Sequence, residues 1–291
     1  MDFEVIDEDL VRRLVEGQFP QWRGLAVRRF ASGGTVNAVY RLGADMVVRL
    51  PLREGGAQDV VMEREWLPRL APLLPTAVPE VLGAGEPAEG FPWAWSVYRW
   101  LEGENPVAGA LEEPGPLAED LARFVAGMRE VSLSGAPAAY RGGPVGTLDA
   151  ATRAAIEELR GIPEEGVDCD AVTALWEETL RAPEWDGPPV WLHADLMPGN
   201  LLVRDGRLAS VIDFGCMGVG DPACDLFPAW NLLPPDAREV FRKHLGVDDA
   251  TWVRGRGRTL SQALLALPYY RRGNPAMADN ARHVIRAVLG A

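Results

Sequence analysis

Residues 192–215 of the chain read LHADLMPGNLLVRDGRLASVIDFG, a segment with two strand-like runs around a turn signal. The runs are Leu201–Arg204 and Arg207–Ile212, and Asp205-Gly206 lies between them. Asp-Gly is a preferred pair for a two-residue type I′ turn, because both central residues of that turn need a positive φ. The segment therefore predicts a β-hairpin.

The register of this hairpin brings two oxygen-bearing side chains to one face. If Asp205 and Gly206 are the central residues, Asn200 faces Val211 and Asp213 lies one diagonal step beyond it. Diagonal neighbours across a strand pair have Cβ atoms roughly 7 to 8 Å apart, which lets both side chains reach one ion. A small number of oxygen ligands suits a magnesium ion that also binds phosphates. We therefore predict that Asn200 and Asp213 hold Mg²⁺.

Two further polar residues stand just upstream of the hairpin. His193 and Asp195 complete the spacing His-x-Asp-x-x-x-x-Asn followed by Asp-Phe-Gly. This constellation resembles the catalytic loop and metal-binding motif of the aminoglycoside phosphotransferases, which share the protein-kinase fold. The resemblance implies that Asp195 accepts the proton of a substrate hydroxyl, while Asn200 and Asp213 bind magnesium. His193 is then expected to organise the loop structurally, and Asp225 to brace it by hydrogen bonds.

The resemblance extends to the N-terminal half and covers about residues 25–270. The segment FASGGTVNAVYRLGADMVVRLP at 30–51 is similar to the family's nucleotide loop and first three strands, and VYRWLEGE at 97–104 to its interlobe hinge. The resemblance implies ATP or GTP as co-substrate, with the base held by main chain near the hinge. The residues expected at the nucleotide are Ser32, Gly33, Gly34, Thr35, Arg49, Glu63, Tyr98, Arg99 and Leu101.

Two positions depart from the family pattern. Arg49 occupies the place where kinases generally have a lysine that joins the nucleotide phosphates to the helix glutamate, Glu63. An arginine can serve there because its planar, permanently charged fork binds phosphate and carboxylate. Ala194 stands where the family often has glycine, which matters if the main chain there needs a positive φ.

Composition narrows the classes of partner. The chain has 291 residues and a formal net charge of −13, which repels nucleic acids and anionic membranes. The cysteines Cys169, Cys216 and Cys224 show no metal or disulfide spacing, and the longest uncharged apolar stretch, Thr259–Tyr270, is too short to cross a bilayer. We expect a cytoplasmic protein, a monomer or weak dimer, with neither nucleic acid nor membrane as a partner.

The length and the apolar patterning predict a sheet-rich lobe and a helix-rich lobe, and the resemblance implies that they form a bilobal α+β fold of the protein-kinase type. Residues 1–104 are expected to form an N-terminal nucleotide-binding lobe built on an antiparallel sheet, and residues 105–291 a larger, mostly helical catalytic lobe. The predicted strands are Leu25–Ala31, Val36–Leu42, Met46–Leu50, Glu80–Gly83 and Ala94–Trp100. The predicted helices are Asp7–Gly17, Ala57–Leu70, Leu117–Val131, Ala150–Leu159 and Ala171–Leu180.

The function that the resemblance implies is transfer of a nucleotide γ-phosphate to a hydroxyl of a small molecule, with an aminoglycoside or related antibiotic as first expectation. Kinases of choline, homoserine, methylthioribose or fructosamines are alternatives within the same fold. A regulatory pseudokinase is favoured only by Arg49. The net charge and the resemblance together suggest a cationic acceptor bound by carboxylates of the helical lobe. Candidates are Asp168, Asp170, Glu177 and Glu178.

Overall fold

The computed structural model describes residues 6–31 and 36–290, which form two compact units. Unit 1 consists of Met1–Glu104, Leu201–Arg204 and Ala209–Gly215. Unit 2 consists of Asn105–Asn200, Asp205–Leu208 and Cys216–Ala291. The first unit thus takes in two short segments that follow residue 104 in the sequence.

Unit 1 is built on an antiparallel five-stranded sheet, as the sequence predicted. The strand order is β1-β2-β3-β5-β4, so the last two strands of the sheet are exchanged relative to their order in the chain. The strands are β1 Val27–Phe30, β2 Asn37–Leu42, β3 Met46–Pro51, β4 Val81–Gly85 and β5 Trp95–Arg99.

Two helices accompany this sheet. Helix α1, Glu8–Gln18, begins where predicted because the Asp7 side chain accepts a hydrogen bond from the Leu10 amide at 2.8 Å. Its apolar face packs into one core with the inner side chains of β2, β3 and β5. Helix α2, Glu54–Leu70, starts earlier than predicted, because Gly55 and Gly56 have the composition of a loop yet lie in its first turn.

Unit 2 is mostly helical. Its helices are α3 Pro114–Glu130, α4 Asp149–Arg160, α5 Cys169–Arg181, α6 Pro228–Asn231, α7 Pro235–Leu245, α8 Asp249–Tyr270 and α9 Pro275–Leu289. Helix α8 packs against α4, α5 and α9 and forms the centre of the unit. No helix within residues 6–31 and 36–290 is both long and apolar enough to cross a membrane.

Short strands frame the segment that carries the sequence motif. Strand β6, Val190–Leu192, pairs antiparallel with β9, Gly218–Gly220. Between them, β7 Leu201–Arg204 and β8 Arg207–Val211 form the predicted hairpin. The two turn residues, Asp205 and Gly206, have φ of 53° and 71°, as a type I′ turn requires.

Candidate functional site

A buried carboxylate organises the polar groups of unit 1. Glu63, on α2, has a side chain only 2% exposed and lies beside Arg49 of β3, whose Nη1 is 3.1 and 3.2 Å from its two carboxylate oxygens. The Phe214 amide donates to Glu63 Oε1 at 2.9 Å, and the Tyr98 hydroxyl donates to Oε2. Glu63 therefore joins α2 to β3, β5 and the Asp-Phe-Gly segment.

Arg49 also binds the second candidate metal ligand. Its Nη2 donates to Asp213 Oδ1 at 2.6 Å, so one guanidinium connects Glu63 and Asp213. Burial alone would lower the pKa of Arg49, but the charges of Glu63 and Asp213 outweigh burial and raise it. The arginine is held as a permanent cation next to the position where the resemblance places the phosphates.

The structure gives Tyr98 a contact that sequence reasoning missed. Its ring is fully buried, and burial together with Glu63 raises the pKa of its phenol. The hydroxyl is bound to Glu63, so this side chain supports the glutamate. Its expected place beside the nucleotide base stays a prediction.

Two of the main-chain amides around the expected base site already donate hydrogen bonds within unit 1. The Arg99 amide donates to the Glu80 carbonyl at 3.0 Å, and the Trp100 amide donates to the Asp45 carbonyl at 2.7 Å. Leu101 supplies the next amide along the chain. The expected phosphate loop, Ser32, Gly33, Gly34 and Thr35, lies outside the described residues.

Asp59 is a further acidic group that the sequence did not single out. It lies one helical turn before Glu63 on α2, and burial, followed by the charges of Asp213 and Glu63, raises its pKa to about 6. A Cβ at position 215 would come within 2.7 Å of Asp59 Cβ and Cγ, so the glycine of the Asp-Phe-Gly motif leaves room for this carboxyl. The sequence signal that could have identified Asp59 is its i, i+4 spacing from Glu63, which places both side chains on one face of α2.

In unit 2, a second buried carboxylate fixes the loop that carries Asp195. Asp225 Oδ2 accepts a hydrogen bond from the His193 amide at 2.8 Å, and Oδ1 accepts one from the Ala194 amide at 2.7 Å. The Asp195 amide donates to His193 Nδ1 at 3.2 Å. His193 and Asp225 are fully buried, and burial raises the pKa of Asp225.

Both carboxylate oxygens of Asp195 accept hydrogen bonds. Asn200 Nδ2 donates to Oδ2 at 3.0 Å and to the Asp195 carbonyl at 2.8 Å. Arg141 Nη1 donates to Oδ1 at 2.6 Å. The contact with Arg141 was not predicted, and no spacing rule could have found it, because the two residues are 54 positions apart.

The donor chemistry of Asn200 and Asp213 fits magnesium. The amide nitrogen of Asn200 is engaged by Asp195, which leaves the amide oxygen as the atom to meet a cation. Asp213 supplies a carboxylate, the other hard ligand that Mg²⁺ prefers. Within the described part of the chain, no group of three or more His, Cys, Asp or Glu side chains could hold a metal. A magnesium ion that keeps water and phosphate ligands needs no such cluster.

The four carboxylates expected to bind the acceptor have local partners in the structure. Asp168 caps α5 by accepting from the Ala171 amide at 2.9 Å. Asp170 pairs with Arg160 at 3.0 Å, and Glu177 pairs with Arg153 at 2.6 Å. The charge of Glu178 acts on Arg256. These contacts show the residues as helix caps and surface ion pairs, and their part in acceptor binding stays a prediction that rests on the net charge and the resemblance.

Ala194 adopts the conformation that favours glycine. Its φ is 64°, in the left-handed region, so the departure from the family's usual glycine costs backbone strain of roughly 1 to 2 kcal/mol. Its methyl group is nevertheless buried against Leu192 and Cys224. The hydrogen bond from the Ala194 amide to Asp225 helps to hold the strained residue in place.

We predict that Ala194→Gly changes the free energy of unfolding by less than about 0.5 kcal/mol, because relief of strain offsets the lost methyl contacts and the added chain entropy. The matched control is Ala118→Gly, at a buried alanine in α3, which should lose about 1.5 kcal/mol. Urea denaturation compares the two. Equal losses would contradict strain at Ala194.

We predict that Asp59→Asn stabilises the protein at about pH 8 by about 1 to 2 kcal/mol and has little effect at about pH 3. A raised carboxyl pKa means that the folded state binds the proton more tightly than the unfolded state. Ionising Asp59 therefore costs no stability below its pKa in the unfolded chain, and the full cost in the free energy of unfolding is present above about pH 6. Urea midpoints in EDTA measure the effect. Asp9→Asn, at an exposed site on α1, is the matched control for loss of a carboxyl group.

Three comparisons with known proteins bear on this geometry. Residues 27–260 match the model of the phosphotransferase enzyme family, APH. An aminoglycoside 3'-phosphotransferase of Escherichia coli is 30% identical over 107 residues, which are 31% of this chain and 40% of that protein. One of Salmonella typhimurium is 30% identical over 82 residues, 27% of this chain and 30% of that protein. The chain therefore matches less than half the length of these curated relatives.

Solved structures with the same fold align along nearly the whole chain. The GDP and kanamycin complex of APH(2")-IIia has a TM-score of 0.77 at 18% identity, covering 96% of this chain and 97% of that one. The macrolide 2'-phosphotransferase MphH of Brachybacterium faecium, as apoenzyme, has a TM-score of 0.64 at 22% identity, with 96% and 97% covered. The family model spans most of the chain and includes Glu63, Asp195 and Asp225. The protein therefore belongs to the APH phosphotransferase enzyme family.

Proposed function

We propose that the protein transfers the γ-phosphate of ATP or GTP to a hydroxyl of a small molecule, with Asp195 as the acceptor of the hydroxyl proton. The observation that carries the proposal is the orientation of Asp195. Each of its carboxylate oxygens accepts one hydrogen bond, from Arg141 or Asn200, and its loop is anchored on buried Asp225. A carboxylate oxygen has two lone-pair sites, so capacity remains for a substrate hydroxyl.

A largely buried arginine and two oxygen-bearing side chains support the nucleotide half of the reaction. Arg49, oriented by buried Glu63, presents a planar cation that suits phosphate oxygens. Asp213 and Asn200 would hold magnesium, which when bound neutralises charge on the nucleotide phosphates. The chain's own contribution is positioning and electrostatics, which provide most of the rate enhancement in phosphoryl transfer.

The acceptor class is proposed from the relatives. Aminoglycoside 3'-phosphotransferases and a macrolide 2'-phosphotransferase are similar to this chain, so aminoglycosides and macrolides are the acceptors to test first. Choline-, homoserine-, methylthioribose- and fructosamine-type alcohols are the metabolic alternatives. The combination of Asp195, Asn200 and Asp213 favours an enzyme over a pseudokinase. We place the reaction in the cytoplasm, where nucleoside triphosphates are available.

We predict that Asp195→Asn lowers kcat by at least ~10²-fold on any acceptor that the wild type phosphorylates, because the amide cannot take the hydroxyl proton. Side-chain shape and the contact with Arg141 are largely kept. Phosphate transfer is measured with labelled nucleotide, and Asp249→Asn, at an exposed site on α8, is the matched control. A kcat near that of wild type would remove Asp195 as the base.

We predict that Asp213→Asn abolishes the gain in nucleotide affinity that Mg²⁺ produces, because a neutral amide is a poorer ligand for a hard cation. Titration calorimetry with ATP and GTP, in Mg²⁺ and in EDTA, measures that gain. Asp9→Asn should retain it. An unchanged Mg²⁺ effect in the Asp213 variant would contradict the assignment of this residue as a metal ligand.

A further inference from the structure

The Arg141 guanidinium lies between the proposed base and an exposed aromatic ring. Its Nη1 donates to Asp195 Oδ1 at 2.6 Å and to the Ala194 carbonyl at 3.2 Å. Its Cζ is 5.5 Å from the ring centroid of Tyr140, within the range of a cation–π contact. Tyr140 is 80% exposed although it is a large aromatic residue, and all four residues belong to unit 2.

The main chain of this tyrosine–arginine pair is anchored. The Tyr140 amide donates to the Cys216 carbonyl at 3.2 Å. The Arg141 carbonyl accepts from Arg258 Nη1 at 2.9 Å and from Cys224 Sγ at 3.4 Å. Arg258 itself is buried and pairs with Asp221 at 3.3 Å. The arginine is therefore presented to Asp195 from a fixed position, which is what a residue that selects a substrate requires.

The charge around the catalytic loop differs from the charge of the whole chain. Three acids of this region, Asp195, Asp221 and Asp225, form one cluster with arginines. Four arginines adjoin them, namely Arg129, Arg141, Arg254 and Arg258. Even with all three acids ionised, the cluster carries an excess of positive charge within a protein whose net charge is −13. At physiological salt, screening over about 8 Å makes local charges more important to a ligand than distant ones.

We infer that Arg141 and Tyr140 form the acceptor-side surface of the site and select a neutral or singly charged acceptor with an apolar face over a polycation. This inference rests on the proposed function and adds the substrate class. Arg141 is a positioning residue for Asp195, and its charge repels ammonium groups near the reacting hydroxyl. Tyr140 offers a ring against which the carbon face of a sugar or macrocycle packs.

The test compares binding of a macrolide that carries a single amine, on a sugar attached to its apolar macrocycle, with binding of the polycation kanamycin. Dissociation constants are measured by titration calorimetry for wild type, Arg141→Gln and Tyr140→Ser. Arg282→Gln is the matched control for loss of a partly buried arginine, since its side chain is 30% exposed against 34% for Arg141 and is also ion-paired. Tyr269→Ser is the control for loss of an exposed tyrosine, since Tyr269 is 76% exposed and Tyr140 is 80% exposed.

We expect wild type to bind the macrolide more tightly than kanamycin. Arg141→Gln should narrow the ratio of the two dissociation constants by about tenfold or more, because one repulsive charge is removed. Tyr140→Ser should weaken macrolide binding about tenfold and leave kanamycin within about twofold. Any general loss of order affects both ligands and cancels in the ratio.

Three results would overturn the inference: tighter binding of kanamycin by wild type, no binding of either compound, or a ratio that Arg141→Gln leaves unchanged. Phosphate transfer is assayed in parallel and reports on the proposed function separately. Ligand binding that follows the expected ratios without any phosphate transfer would contradict the enzyme assignment while supporting this acceptor surface.

Discussion

The buried carboxylate of Glu63 is the constraint on which the nucleotide half of the structure depends. An ionised carboxylate in the interior is costly unless it is paired and fully hydrogen-bonded. Glu63 meets that condition by accepting from Arg49, Tyr98 and the Phe214 amide, which belong to β3, β5 and the Asp-Phe-Gly segment. The hydrogen bonds that stabilise the buried charge of Glu63 therefore also fix the positions of the groups proposed to bind phosphate and metal.

Asp225 plays the corresponding part in unit 2. Its two carboxylate oxygens accept hydrogen bonds from the consecutive amides of His193 and Ala194. These bonds orient the next residue, Asp195, towards Arg141 and Asn200. The same arrangement keeps Ala194 in a left-handed conformation that an alanine rarely adopts. In both units a buried acid that accepts hydrogen bonds from the main chain supports a more exposed acid, and the exposed acid is the one proposed to take the proton or to bind the metal.

The sequence predicted what depends on local pattern. Asp205-Gly206 identified the hairpin because its turn type requires those residues, and alternating apolar residues identified the sheet of unit 1. Contacts between residues far apart in the chain were beyond that reasoning. The approach of Arg141 to Asp195 depends on how the loop before α4 packs, and the bond from Tyr98 to Glu63 depends on the docking of α2 against β5. Such pairs have no spacing signature.

The expected cationic acceptor and the acceptor surface inferred from Arg141 and Tyr140 rest on different charges of the molecule. Net charge sums acids over the entire surface, and the acids of α5 are engaged by helix capping and by arginines of α4. Arg141 pairs directly with Asp195, and Arg129, Arg254 and Arg258 adjoin Asp221 and Asp225. A ligand in contact with Asp195 responds chiefly to the groups within a screening length of about 8 Å. On the acceptor surface that we infer, the charge nearest the ligand is therefore that of Arg141, which is opposite in sign to the net charge of the molecule.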